Sequence, residues 1–141
     1  MGIDLGAKRT GLAVSDATGT LARPHLVITS ATPLAAIVAE IERLRADEDG
    51  LAAVVVGLPK RLDGTPNAQT AQVEKFVGLL RARVGTPVIT QDERLTSVEA
   101  ESLLAAREKD WRRRKEKLDA AAAAVILQEY LDQWQGGAEA S

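Results

Sequence analysis

Apolar positions along the chain follow two different periods, and the change between them divides the fold. Gly2 to Leu5 reads as a short apolar strand broken by Asp4, and Gly6-Ala7-Lys8-Arg9 as a tight turn. Thr10 to Ser15 alternates apolar and polar side chains as a second strand does, and Asp16-Ala17-Thr18-Gly19 is a turn by composition. Thr20 to Thr29 predicts a third strand, interrupted at Pro24. Strands in immediate succession predict an antiparallel meander.

The period then lengthens. Thr32-Pro33 predicts an N-cap followed by proline at the first helical position. Leu34, Ile37, Val38, Ile41 and Leu44 mark the stripe of an amphipathic helix that Gly50 stops. Leu51 to Leu58 is nearly continuous in apolar residues, which predicts a strand buried on both faces. Pro59 to Gly64 is a loop, Thr65-Pro66 repeats the helix-opening signature, and Val73, Phe76, Val77 and Leu80 form the next stripe, closed near Gly85. Pro87 to Gln91 predicts the next strand, ending in Asp92-Glu93-Arg94. Thr96 and Glu99 have capping-box spacing for a helix to about Arg107, and an Ala-rich helix runs from about Leu118 to Trp134. The order β-β-β-α-β-α-β-α-α implies an α/β fold with one mixed sheet and helices on both faces. No internal repeat or linker divides it. The expectation is one domain over 1–134 and a mobile tail over 135–141.

Composition narrows the chemistry. A chain of 141 residues fits one core, and with one Phe, one Tyr and two Trp that core must be aliphatic. Cysteine is absent, which removes disulfides, zinc–thiolate sites, iron–sulfur clusters and a thiol nucleophile. The single histidine, His25, excludes multi-His sites, so catalysis must rest on carboxylates, hydroxyls, Lys and Arg. No apolar run reaches the ~18 residues of a membrane span. The chain opens on a strand-like segment and carries no leader pattern, so a cytoplasmic protein is expected. Only three residues precede Asp4, so the first strand reads as shortened at its start.

The formal net charge of −2 does not itself suggest nucleic acid, but its distribution does. Residues 107–117 hold seven basic and three acidic side chains around Trp111, including Arg112, Arg113, Arg114 and Lys115. Lys8-Arg9 and Lys60-Arg61 are smaller basic groups. A solvated helix face and a nucleic-acid contact are both consistent with the long run.

Among the acidic residues, Asp4 stands between Ile3 and Leu5, where a buried strand prefers another apolar side chain. A buried carboxylate needs a partner or a metal. One reading makes it the cap of the following turn. Flanking Gly2 and Gly6 favour close approach of backbone, phosphate or metal. Asp92 and Glu93 point to opposite faces, so only one of them can join Asp4, unless both simply form an acidic turn beside Arg94. Asp119 opens the Ala-rich helix, where a first-turn carboxylate also suits the helix dipole. Carboxylates from strand ends and a helix start form a set of hard oxygen donors suited to Mg2+ or Mn2+.

Four segments carry a resemblance: Gly2-Ile3-Asp4-Leu5-Gly6-Ala7-Lys8-Arg9-Thr10-Gly11, Val56-Gly57-Leu58-Pro59, Asp92-Glu93-Arg94-Leu95-Thr96-Ser97, and the run from Asp119 to Leu127. In this order they resemble the YqgF (RuvX) family of RNase H-like nucleases across nearly the whole chain. The resemblance implies a five-stranded mixed sheet whose first three strands are antiparallel. It implies Asp4, Glu93 and Asp119 as the catalytic, metal-holding set, and Lys8, Arg9 and Arg94 near the phosphate. It also implies action on nucleic acid, in maturation of the 16S rRNA precursor's 5′ end and in association with the ribosomal precursor; for the chemistry, two-metal phosphodiester hydrolysis is the expectation. The alternatives are resolution of Holliday junctions, which calls for a homodimer, and metal-independent RNA or ribosome binding without cleavage. RuvC-type resolvases carry four acidic ligands, and three are found here. Actin-like ATPases share a Gly-Ile-Asp-Leu-Gly opening but need two such lobes, more than this length supplies.

Overall fold

The computed structural model describes residues 1–61, 63–93 and 120–133. The predicted apolar runs form strands β1 (Gly2–Asp4), β2 (Arg9–Ser15), β3 (Ala22–Thr29), β4 (Val54–Pro59) and β5 (Val88–Glu93). They make one five-stranded sheet in the order β3-β2-β1-β4-β5. Within the first three, β2 pairs antiparallel with both β1 and β3, whereas β4 runs parallel to β1 and β5 parallel to β4. A parallel return requires a crossover. Helix α1 (Leu34–Arg45) bridges β3 to β4, and α2 (Ala68–Arg81) bridges β4 to β5. A further helix, α3, spans residues 120–133.

Strand alternation sends side chains to two cores. Ile3, Leu12, Val54, Val56, Leu58 and Val88 meet Ile37 and Ile41 of α1 and the Val73–Phe76–Val77–Leu80 stripe of α2. On the other face Ala13 and Val55 meet Ala123, Ile126, Leu127 and Leu131 of α3. Burial on both faces explains why β4 is apolar at every position from Val54 to Val56, each worth about 1.5–3 kcal/mol. The α3 face is built from small residues because the helix lies close. A Cβ on Gly2 would stand 2.6 Å from the Ala123 carbonyl oxygen and 2.8 Å from Leu127 Cβ. Gln128 ties α3 to the β2–β3 hairpin, accepting from the Ala22 amide and donating to the Thr20 carbonyl, each at 2.9 Å.

Several boundaries differ from the sequence reading, each for a local reason. Pro33 is itself the N-cap residue of α1, without a side-chain cap, and the helix ends at Ala46, four residues before Gly50 turns the chain with φ 64°. Thr65-Pro66 does not open α2. Thr65 is occupied by Asp63, whose Oδ1 accepts from its amide at 2.9 Å and its hydroxyl at 2.6 Å. Asn67 takes the cap instead: its Oδ1 accepts from Gln69 and Thr70, and the Thr70 hydroxyl accepts from the Asn67 amide. The last strand includes Asp92 and Glu93 because the β4 pairing continues through Pro59↔Glu93. The helix predicted over 96–107, the segment 107–117 and the tail 135–141 lie outside the described residues.

Candidate active site

Sheet direction decides which side chains can meet. β1, β4 and β5 are parallel, so their carboxyl ends share one edge, and the start of antiparallel β2 lies at that same edge. In open α/β sheets this edge is where ligands bind. Asp4 ends β1, Glu93 ends β5, Lys60 and Arg61 directly follow β4, and Lys8 and Arg9 close the turn from β1 into β2.

Register then separates Asp92 from Glu93. Gly2 faces α3, so Asp4, two residues on, faces α3 as well. On β5, Val88 packs in the α1–α2 core, which puts Asp92 on that side and Glu93 on the side of α3. Glu93 therefore shares a face with Asp4. Asp92 is across the sheet from both, with its Oδ2 4.0 Å from Lys60 Nζ.

Between the two carboxylates runs β4; its pairing with β1 runs to Ile3↔Val56, and the next residue on each strand is Asp4 on β1 and Gly57 on β4. A Cβ there would stand 2.6 Å from Glu93 Cγ and 2.6 Å from Ile126 Cδ1. The cross-strand partner of Glu93 is Pro59, not Gly57. Its side chain thus leans back along the sheet into the space that Gly57 leaves, and its Oε1 is enclosed. Strands two places apart lie roughly 9.6 Å from one another. Asp4 and Glu93 thus face the same side of the sheet at its carboxyl edge, on either side of a bare glycine. The close approach expected at Gly2 and Gly6 is made by the protein's own backbone: α3 at Gly2, and the Arg9 carbonyl oxygen at Gly6. The glycine serving the carboxylates is Gly57. Its signal was a lone glycine inside an otherwise continuous apolar strand.

The single histidine stands apart. His25 of β3 lies within 2.7 Å of Glu40 on α1, and Glu40 also accepts from Arg43. The Arg43 hydrogen bond, with that of His25, holds the Glu40 carboxyl down at about 2 against the opposing effect of burial. His25 and β5 are at opposite edges of the sheet.

Among the described residues no three metal-ligating side chains come together. The third predicted carboxylate, Asp119, precedes the first described residue of α3 and lies outside the described set, as do Arg94, Trp111, Arg112, Arg113, Arg114 and Lys115. Of the predicted basic residues, Lys8 and Arg61 are exposed and Arg9 and Lys60 half-buried at the carboxyl edge. No described helix is long and apolar enough to cross a membrane.

Comparison with known proteins fits this geometry. The RuvX family model, described as Holliday junction resolvase, matches residues 1–133. A Chloroflexus aggregans protein is 43% identical over 132 residues, covering 94% of this chain and 92% of its own. A Burkholderia ambifaria protein is 44% identical over 138 residues, with coverage of 94% and 88%. One from Desulforudis audaxviator is 39% identical over 137 residues, with coverage of 97% and 96%. All three carry the name "Putative pre-16S rRNA nuclease".

Proposed function

The chain belongs to the RuvX family, and from that premise we propose that it is a divalent-metal-dependent endonuclease acting on the 16S rRNA precursor. The observation that carries the reading is the pairing of Asp4 with Glu93 on one face, at the carboxyl edge, across Gly57. An all-oxygen donor set without Cys, and with its only His committed elsewhere, suits Mg2+ or Mn2+ rather than zinc. Asp4, Glu93 and Asp119 would hold the metal. Bound there, the ions would supply an acidified water as nucleophile and charge stabilisation for the leaving oxygen. Asp4, on the central strand of the sheet, would hold the metal from the middle of the site. Lys8, Arg9 and Arg61 line the same edge and would hold the substrate's phosphates, with Lys60, beside Asp92 on the other face, Arg94 and the 112–115 cluster as further candidate contacts. No side-chain general base is assigned, and His25 takes no part.

The substrate is tested by offering the purified protein a precursor rRNA fragment and a four-way DNA junction in Mn2+. Cleavage of the RNA with little junction cutting supports the reading. Preferential, symmetric junction cutting would move the assignment to a resolvase, with a twofold dimer expected in solution. Tight, metal-independent RNA binding without cleavage would make the chain a ribosome-associated binding factor.

A further inference from the structure

We propose that Gly57 is a positioning residue of the site: its missing side chain sets the direction in which the Glu93 carboxylate points, and it couples that direction to the seat of α3. The inference deepens the nuclease reading and rests on it. The space above Gly57 is claimed from two sides. Glu93 Cγ and Ile126 Cδ1 each come within 2.6 Å of the place a Cβ would take, and Ile126 Cγ1 within 3.3 Å. No packing of real side chains tolerates the first two distances, so for any residue larger than glycine both contacts must be relieved. Ile126 is fully buried among Ala13, Val55, Ala123 and Leu127 and has little room to yield. Glu93 is half-buried at the end of β5, so once the Ile126 Cδ1 contact is removed it is the group that moves.

The direction of that movement matters. Glu93 reaches Gly57 by leaning from its own register partner, Pro59, toward the strand that carries Asp4. A methyl group at position 57 would turn the carboxylate outward and widen the gap to Asp4. Gly57 pairs with Gln91 and directly follows the Ile3↔Val56 pair, as Asp4 does on its own strand, so this one position controls the opening between the two acids. The cost falls on the chemical step more than on substrate binding, because the basic residues at the edge are left untouched.

The test separates the two contacts. Ile126→Val removes Cδ1 and serves as the background, in which Gly57→Ala, Glu93→Ala and both together are compared. In that background Gly57→Ala should leave KM for RNA little changed, lower kcat about 100-fold, and raise the Mn2+ concentration needed for half-maximal rate. Gly57→Ala should also lower the melting temperature by several degrees when Glu93 is present and by almost nothing when residue 93 is alanine. A folded Gly57→Ala/Ile126→Val protein with unchanged kcat and Mn2+ requirement would overturn the proposal. So would an equal drop in melting temperature with and without the Glu93 side chain. If the parent protein shows no metal-dependent cleavage, the nuclease reading fails, and the melting cycle alone decides whether Gly57 directs Glu93.

Discussion

Thr10 shows how a single polar atom can be set against its surroundings. It is fully buried on β2, and its hydroxyl has no hydrogen-bond partner among the described residues. An unpartnered buried hydroxyl carries a desolvation cost with no return, so an apolar residue of the same shape should be tolerated. Thr10→Val is expected to hold the melting temperature or raise stability by up to about 1 kcal/mol. A marked fall on thermal melting would mean that the hydroxyl has a partner in solution. Glu40 presents the opposite case. Hydrogen bonds from Arg43 and His25 hold its pKa at about 2 instead of 4.5. A carboxyl whose folded-state pKa is depressed binds its proton more weakly than the unfolded chain does. Its contribution is therefore complete above pH 4.5 and lost as pH falls toward 2. Melting curves across that interval should be steeper in pH for the parent than for Glu40→Gln. Identical slopes would show that the His25–Glu40–Arg43 cluster adds nothing to acid stability.

At the scale of elements, the carboxylate pair depends on how closely α3 can approach the sheet. Gly2 admits the Ala123 carbonyl to 2.6 Å of a would-be Cβ. Gly2→Ala should push α3 outward, destabilise the fold by about 1–3 kcal/mol, and slow cleavage without removing any acidic group. Denaturant unfolding with a parallel rate measurement checks both effects, and an unchanged stability would deny the tight seat. The elements themselves were legible in the pattern: the change from alternation to a helical stripe after Thr29 marks the end of the meander, and the run Val54–Val56 reads as a strand covered on both sides. Helix starts were less legible. Thr65-Pro66 has the right composition, yet Asp63 engages Thr65 first and leaves the cap to Asn67. The choice between Asp92 and Glu93 could not be read from β5 alone, because it depends on which face Val88 takes against β4 and α2. The role of Gly57 is a property of three strands and a helix together, so the local sequence shows only an interrupted apolar run.

For the whole molecule, the slight negative charge means that nucleic acid must be gripped by a placed basic rim and not by the general field. On the proposed reading, Lys8, Arg9 and Arg61 would form the described part of that rim. Arg61→Ala should weaken RNA binding similarly across sequences and reduce the slope of log affinity against log salt by roughly 0.7–0.9, with kcat at saturating RNA retained. A salt slope equal to the parent's would take Arg61 off the phosphate path. The central claim concerns the acids at the heart of that rim, and one comparison addresses it most directly. Asp4→Asn keeps the size and shape of the side chain and removes its charge. Cleavage of precursor 16S rRNA in Mn2+ should fall about 1,000-fold, the equivalent of several kcal/mol of lost charge stabilisation, with the melting temperature unchanged. Equal cleavage by parent and Asp4→Asn would contradict the account.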